Sequence, residues 1–110
     1  MPNFRQEIEL LQNYSKHKTF TYTTTGDSAA TALDIASNFE EVNKVSFVVE
    51  LGDAYIAFDE DASSTAGSET MLVPQDEGYF DDAVYIGSKI SIIAKTANTQ
   101  PRIRGIIWGR

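Results

Sequence analysis

Two pairs of apolar segments, each joined by a dipeptide that begins with Gly, stand out in the pattern of hydrophobic and polar positions. Each segment is rich in Val, Ile, Tyr, Phe or Ala, and the β-branched and aromatic types among these favour strands. A Gly-led pair between two such runs predicts a tight β-hairpin, because Gly readily adopts the positive φ that these turns require. The predicted hairpins are residues 45–51 and 54–58 around Gly52 and Asp53, and residues 83–86 and 89–94 around Gly87 and Ser88.

The remaining sequence after residue 18 also indicates strands separated by polar turns. Residues 19–25 alternate aromatic residues with threonine, and residues 69–73 and 102–108 are short strand-like runs next to turn-forming residues. Residues 29–36 fit either a helix or a strand by spacing, and their short length and flanking turn residues favour a strand. Seven or eight strands at roughly ten-residue spacing predict an all-β fold, an antiparallel β-sandwich that is jelly-roll-like. Alternation predicts the core residues Val45, Phe47, Val49, Leu51, Ile56, Phe58, Val84, Ile86, Ile90, Ile92, Ile103 and Ile107.

An amphipathic pattern precedes the strands. Phe4, Ile8 and Leu11 recur at the helical period among polar residues, and Asn3 can serve as an N-cap, so residues 4–14 are predicted to form a short α-helix. Three turns are marginal for an isolated helix. Its apolar stripe therefore needs a cover, either the flank of its own sandwich or a neighbouring subunit. The predicted organisation is a helical arm over residues 1–17 and a β-sandwich domain over residues 18–110.

Composition narrows the functional classes. The chain has 110 residues, no cysteine and a net charge of −7, which suits one domain and excludes thiolate catalysis, Cys-ligated zinc and disulfides. Phosphate backbones are bound by clustered bases, and the one small basic cluster is Arg102, Arg104 and Arg110, so nucleic acid is not an expected partner. No apolar run approaches the ~18 residues of a membrane span, and the first residues lack a secretory pattern. We therefore expect no membrane partner.

Familiar catalytic patterns are missing from the sequence. His17 is the single histidine and lies between Lys16 and Lys18, so we expect an exposed linker residue. A histidine-rich metal cluster, such as cupin-type jelly rolls use, cannot be built from one histidine. The sequence also lacks a Gly-x-Ser-x-Gly nucleophile elbow and a phosphate-binding glycine motif. We expect a protein that is not an enzyme, with no catalytic residues, no cofactor and no metal ligands.

The acidic residues permit a weaker alternative. Asp59, Asp61 and Ser63 begin like a calcium-binding loop, but Ser64 and Thr70 stand where an EF-hand needs Gly and Glu. A looser calcium site remains an alternative to ordinary solvated loop charge. Its ligands would be Asp59, Asp61, Asp81 and Asp82.

The aromatic residues also have two interpretations. They could form a carbohydrate-binding platform, or they could belong to the core or to a subunit interface, and the alternation of strand residues favours the second interpretation. The residues concerned are Tyr55, Tyr79, Phe80, Tyr85 and Trp108.

The second half of the chain has a characteristic order of strands and turns. A strand over 54–58, with the sequence Ala-Tyr-Ile-Ala-Phe, is followed by a Ser/Thr/Ala/Gly loop and then by Leu72, Val73 and Pro74. A Gly-aromatic run then leads into residues 89–94, with the sequence Lys-Ile-Ser-Ile-Ile-Ala, and the chain closes with Arg-Ile-Arg-Gly-Ile-Ile-Trp-Gly-Arg. This order over residues 45–110 resembles small virion proteins of tailed bacteriophages. The resemblance implies a compact β-sandwich, assembled as a small cyclic homo-oligomer with a trimer favoured.

The resemblance also implies a function in the virion. Such proteins are capsid cement or decoration subunits that bind the major capsid protein or other virion proteins, and this is the function we expect. The alternatives are a head–tail or tail-appendage structural protein and a carbohydrate- or receptor-binding module. Arg and Trp are enriched at interface hot spots, so the expected contact residues combine the helix stripe with the last strand: Phe4, Ile8, Leu11, Arg102, Arg104 and Trp108.

Overall fold

The computed structural model of the chain describes residues 16–65 and 70–110, and these residues form strands joined by turns. The predicted helix over residues 4–14 lies outside the described residues, together with Phe4, Ile8 and Leu11. Eight strands cross the described residues: β1 (Lys16–Thr23), β2 (Ala30–Asp34), β3 (Val42–Glu50), β4 (Ala54–Phe58), β5 (Met71–Val73), β6 (Gly78–Asp81), β7 (Lys89–Ala94) and β8 (Arg102–Gly109). The all-β prediction is confirmed, and the ambiguous segment 29–36 contains the strand β2.

The strands form two antiparallel four-stranded sheets, in the orders β1-β8-β3-β6 and β2-β7-β4-β5. Consecutive strands alternate between the sheets, except that β4 and β5 are neighbours in one sheet. Eight antiparallel strands in this order form a jelly roll, in which the chain wraps around two facing sheets. The sandwich predicted from the sequence is therefore present.

Both predicted hairpins are wrong. β3 and β4 flank Gly52 and Asp53, but β3 lies between β8 and β6 in one sheet while β4 lies in the other. Leu51 and Gly52 do have positive φ angles of 67° and 151°, so the tight turn exists. It serves as a corner between the sheets, because β3 already has a neighbour on each side and cannot pair with β4.

The second predicted hairpin fails for a related reason. Residues 83–86 do not form a strand, and their ladder contact is one isolated bridge between Val42 and Ile86. The strand that precedes this segment, β6, pairs with β3, whereas β7 pairs with β2 and β4 in the opposite sheet. Gly87 and Ser88 therefore lie on a connection that crosses the sandwich.

The core lies between the two sheets and follows the predicted alternation closely. Nine of the predicted core residues are buried: Val45, Phe47, Val49, Ile56, Ile86, Ile90, Ile92, Ile103 and Ile107. Phe58 and Val84 are half-buried and pack against this cluster. The prediction that Leu51 belongs to the core is wrong, because this residue is 58% exposed at the corner after β3. The core residues that the sequence analysis missed lie mostly in the first half of the chain: Phe20, Ile35, Phe39, Val42, Ala54 and Val73.

Candidate protein-interaction face

The last strand, β8, supplies both the core and an exposed surface. It is a central strand between β1 and β3, so its side chains alternate between the interior and the outside of this sheet. Ile103 and Ile107 are fully buried, whereas Arg104 is exposed and Ile106 and Trp108 are half-buried. Arg104, Ile106 and Trp108 point away from the core, toward the outside of the sandwich.

The strand register places residues of four strands beside one another on this outside surface, which we call the outer face. Side chains directly opposite each other on neighbouring strands are in contact range. The rows of the outer face, read from β1 through β8 to β3 and β6, are His17–Trp108–Lys44, Thr19–Ile106–Ser46–Phe80, Thr21–Arg104–Val48–Gly78 and Thr23–Arg102–Glu50.

Two aromatic rings on the outer face share one cation. The Nζ atom of Lys44 lies 4.5 Å from the ring centre of Trp108 and 5.5 Å from that of Phe80. A cation over an aromatic ring contributes about 0.5–1 kcal/mol at an exposed site, so the lysine helps to fix the two rings. Phe80 remains 59% exposed and Val48 39% exposed. The outer face therefore presents ordered apolar groups to the surroundings.

The opposite end of the outer face is charged and internally paired. Arg102 donates from Nη2 to a Glu50 oxygen at 2.7 Å, and Arg104 forms a second ion pair with the same carboxylate. The Arg102 hydrogen bond, with the charges of both arginines, lowers the pKa of Glu50 despite some desolvation. The predicted contact residues Arg102 and Arg104 are thus brought together with Trp108 on one face, and part of their charge is neutralised by Glu50.

A shallow depression of about 460 Å³ opens in the middle of the outer face. Its rim includes Thr19, Ser46, Val48, Arg104 and Ile106. Small hydroxyl residues stand beside aliphatic ones along this rim.

The sequence singled out Phe80 and Trp108, but not the aliphatic residues Val48 and Ile106 of this face. Val48 and Ile106 stand at outward positions within apolar runs, next to inward residues such as Phe47 and Ile107. A strictly alternating pattern would have polar residues there. This departure from alternation is the signal that could have identified the outer face.

The acidic loop residues serve a structural purpose. The Asp59 carboxylate accepts backbone N–H groups of Gly87 at 3.0 Å, Ser88 at 2.7 Å and Lys89 at 3.3 Å, and it also accepts the Ser88 hydroxyl at 3.0 Å. Burial alone would raise the pKa of Asp59, but these hydrogen bonds outweigh it, and the pKa lies below its ordinary value. Asp59 thereby ties the end of β4 to the start of β7.

The looser calcium site is not assembled. Asp61 is an ion-pair partner of Lys89, while Asp81 accepts hydrogen bonds from the Tyr79 hydroxyl at 2.8 Å and from the Ala83 N–H at 2.9 Å. Within residues 16–65 and 70–110, no group of three or more His, Cys, Asp or Glu side chains could hold a metal ion.

The five aromatic residues do not form one platform. Tyr79 faces the interior, with its ring centre 5.6 Å from that of Phe47, and burial together with its hydrogen bond to Asp81 raises the pKa of Tyr79. Tyr55 is half-buried on β4 in the other sheet, and Tyr85 is 64% exposed on the connection before β7. Phe80 and Trp108 share the outer face.

His17 is exposed, as expected, but it is not a linker residue. It lies in β1, which begins at Lys16, and it stands opposite Trp108 at one corner of the outer face. Lys16 and His17, which the predicted organisation assigned to the helical arm, therefore lie in a strand of the described chain. In the part of the chain that the structure describes, no helix has the length and apolar character needed to cross a membrane.

No protein-family model matches the chain, and no curated protein matches it in sequence. A chain from Bacillus endospore appendages, described as disulfide-linked pili, is similar in structure, with a TM-score of 0.52, 14% identity and coverage of 86% of this chain and 87% of that one. A cupin superfamily protein from Desulfitobacterium hafniense has a TM-score of 0.49, 8% identity and coverage of 88% and 81%. A cupin-2 domain protein from Shewanella frigidimarina has a TM-score of 0.45, 17% identity and coverage of 98% and 93%. The first likeness shows a shared fold alone, and the two lower scores carry no argument about this chain.

Proposed function

We propose that this protein is a non-enzymatic structural subunit of a bacteriophage virion, which acts as a capsid cement or decoration protein by binding shell proteins. The observation that carries the proposal is the outer face, an ordered four-stranded surface with exposed aromatic and aliphatic groups beside paired charges. The phage setting rests on the resemblance of residues 45–110. The binding role rests on the physical character of the outer face.

The outer face has the composition of a protein-binding surface. Interfaces are enriched in aromatic residues and Arg, and their central residues fill pockets from which water is excluded. Trp108 and Phe80 supply the aromatic groups, and Arg104 supplies an exposed guanidinium on the same strand ladder. Because these residues lie on a sheet and not on loops, they lose little conformational freedom when a partner binds.

A cement subunit stabilises a shell by adding buried area across junctions between shell proteins. An expanding shell must then break that additional contact. A partner that covered Phe80, Val48 and Ile106 would remove apolar surface from water, at about 25 cal/mol for each Å². The predicted arm is the second contact of this proposal: Phe4, Ile8 and Leu11 would bind a neighbouring subunit, although they lie outside the described residues.

The experiment is a binding titration of purified protein on phage shells that lack it. We expect the double variant Phe80→Ser and Trp108→Ser to bind at least about 30-fold more weakly, since hot-spot truncation costs about 2 kcal/mol or more. The matched control is Tyr85→Ser, because Tyr85 is 64% exposed on a connection and Phe80 59% exposed on the outer face. Wild-type affinity in the double variant, with its fold intact by circular dichroism, would refute a role for the outer face.

The same titration tests the arm. Replacing Phe4, Ile8 and Leu11 together by Ser should leave the sandwich folded and abolish attachment to the shell. Undiminished binding of this triple variant would remove the arm from the proposal while leaving the outer face as the contact.

Counting subunits in the particle tests the virion role itself. Hundreds of copies in each virion indicate shell decoration, whereas about a dozen or fewer indicate a head–tail or tail-appendage protein. Absence of the protein from purified particles would contradict the proposal as a whole.

A carbohydrate-binding module is a second candidate, and one observation favours it. Phe80 and Trp108 present two rings on one face with Lys44 between them, and aromatic faces can stack on sugar rings. A glycan array with the Phe80→Ser variant as control distinguishes this candidate. Saturable glycan binding that the variant loses would support it over the cement role.

A further inference from the structure

The two edges of the outer sheet differ in charge. β1 forms one edge and β6 the other, since each pairs with a single strand of the described chain. An edge strand directs alternate backbone N–H and C=O groups away from its sheet, where another strand can bind them. The β1 edge begins with Lys16, His17 and Lys18. The β6 edge is acidic at both ends, with Asp76 and Glu77 before the strand and Asp81 and Asp82 at its end.

The β6 edge is longer than the strand itself. Backbone hydrogen bonds join Asp76 N–H to Val49 O at 2.7 Å, Val49 N–H to Glu77 O at 2.9 Å and Val84 N–H to Asn43 O at 3.2 Å. The segment from residue 76 to residue 84 therefore follows β3 along most of its length. This nine-residue segment is about as long as β1, which has eight residues.

The register across the sheet places a basic residue of the β1 edge and an acidic residue of the β6 edge in the same row. Lys18 stands opposite Ile107, which stands opposite Val45, and Val45 in turn stands opposite Asp81. Thr19 and Phe80 share the next row, through Ile106 and Ser46. If the sheet continued into a second copy in this register, Lys18 of that copy would lie beside Asp81 of the first.

We propose that copies of this chain associate head to tail by pairing the β1 edge of one copy with the β6 edge of the next, antiparallel, with Lys18 beside Asp81 and Thr19 beside Phe80. β1 runs parallel to β3, because both are antiparallel to β8, and β6 runs antiparallel to β3. The antiparallel direction of the new pair follows from these relations. Each copy uses both edges, so the contact is heterologous and produces a ring if the rotation closes, or a filament if it does not.

The charges along both edges support a second copy over an unrelated partner. In the proposed register, no two like charges face each other, because Tyr22 and Thr23 stand beside Glu77 and Asp76. The association does not depend on whether the outer face binds a shell protein.

Disulfide trapping tests the register directly, because the natural chain has no cysteine. Thr19→Cys and Phe80→Cys are made as separate single variants of different tagged mass, then mixed and oxidised at roughly millimolar protein. Within one chain β1 and β6 are three strand spacings apart, about 14 Å, and a disulfide needs Cα atoms within about 7 Å. We expect the mixed dimer between the two variants and no homodimer of either one.

Each result decides the proposal. Homodimers of Thr19→Cys would show pairing between two β1 edges, and homodimers of Phe80→Cys would show pairing between two β6 edges; either result overturns it. No dimer at all, with both thiols accessible to a thiol reagent, also overturns it. A failure of shell binding leaves this trapping result unaffected.

The Lys18–Asp81 pairing can be tested in the same trapping assay. Lys18→Glu, placed in the Thr19→Cys chain, should lower the yield of mixed dimer about tenfold, because it puts two acids side by side. Lys95→Glu changes the net charge equally on a distant exposed turn and should leave the yield unchanged. Equal yields in the two variants would show that the Lys18–Asp81 pairing is wrong.

Discussion

Asp59 offers the sharpest test of how the end of β4 is held to the start of β7. Its carboxylate accepts backbone N–H groups from Gly87 and Ser88, in the connection into β7, and from Lys89, the first residue of β7. Asp59 itself has a φ of 62°, a conformation that Asn tolerates as well as Asp. Asp59→Asn therefore removes the charge and one of the two acceptor oxygens without adding backbone strain.

The magnitude follows from the number and exposure of these hydrogen bonds. Bonds to a charged acceptor contribute about 1.5–3 kcal/mol each when water is excluded, but Asp59 is an exposed residue, so water replaces much of the loss. Removing a comparable carboxylate cap costs about 0.5–2 kcal/mol. We expect Asp59→Asn to lower the free energy of unfolding by about 1–2 kcal/mol at pH 7.

Urea unfolding of the wild type and the variant measures this loss, with Asp61→Asn as the control. Asp61 is in the same loop, and its side chain is 78% exposed in an ion pair with Lys89, so its neutralisation should cost under about 0.5 kcal/mol. An Asp59→Asn variant that matches Asp61→Asn in stability would refute the assignment of Asp59 as a structural clamp.

The pH dependence provides a second check with a definite sign. The folded pKa of Asp59 lies below the ordinary value of 3.8, so its stabilisation is complete above that value and is lost as the pH falls through the folded pKa. The stability difference between wild type and Asp59→Asn should therefore shrink on acidification below pH 3.8. A difference that stays constant down to the acid unfolding of both proteins would contradict the role of the ionised carboxylate.

Two further predictions concern the interior. A Cβ on Gly105 would lie 2.1 Å from the Ser46 carbonyl oxygen and 2.7 Å from Phe47, so Gly105→Ala should destabilise the sheet by about 2 kcal/mol or more in urea unfolding, and an unchanged midpoint would refute this crowding. Ser91 is 1% exposed, and its hydroxyl oxygen accepts the Ala62 N–H at 2.9 Å. Ser91→Ala should cost about 1–3 kcal/mol in thermal or urea unfolding by leaving that donor unsatisfied, whereas Ser64→Ala, at an exposed loop position, should cost nearly nothing.

The alternation of apolar residues was sufficient to identify the sandwich and most of its core. Ile90 and Ile92 are separated by an even number of positions, and so are Ile103 and Ile107. Side chains at even spacing in a strand lie on the same face of the sheet. β4 and β7 were predicted with the bounds that the structure has, because turn-forming residues end both runs sharply.

Pairing between strands could not be obtained in this way. Local residues determine that the chain turns at Gly52, and Leu51 and Gly52 do adopt positive φ angles there. They do not determine which strand the chain meets next, because β3 finds its partners β8 and β6 far along the sequence. A hairpin and a corner between sheets require the same local turn chemistry.

The outer face likewise has features that the sequence predicts and features that depend on strand pairing. The sequence indicated that Arg102, Arg104 and Trp108 share a strand face, since they are separated by even spacing. It could not indicate that Glu50 pairs with two of these residues, or that Lys44 lies between Trp108 and Phe80. Those neighbours come from strands more than twenty residues away, so only the register of the folded sheet brings them together.

The sequence by itself therefore determined the class of fold, because side-chain alternation and turn residues act within a few positions of one another. The tertiary structure decided which strands are neighbours, which face is exposed, and which charges stand at each edge. These properties depend on strand pairings such as Lys18–Ile107 and Val45–Asp81, which join residues far apart in the sequence.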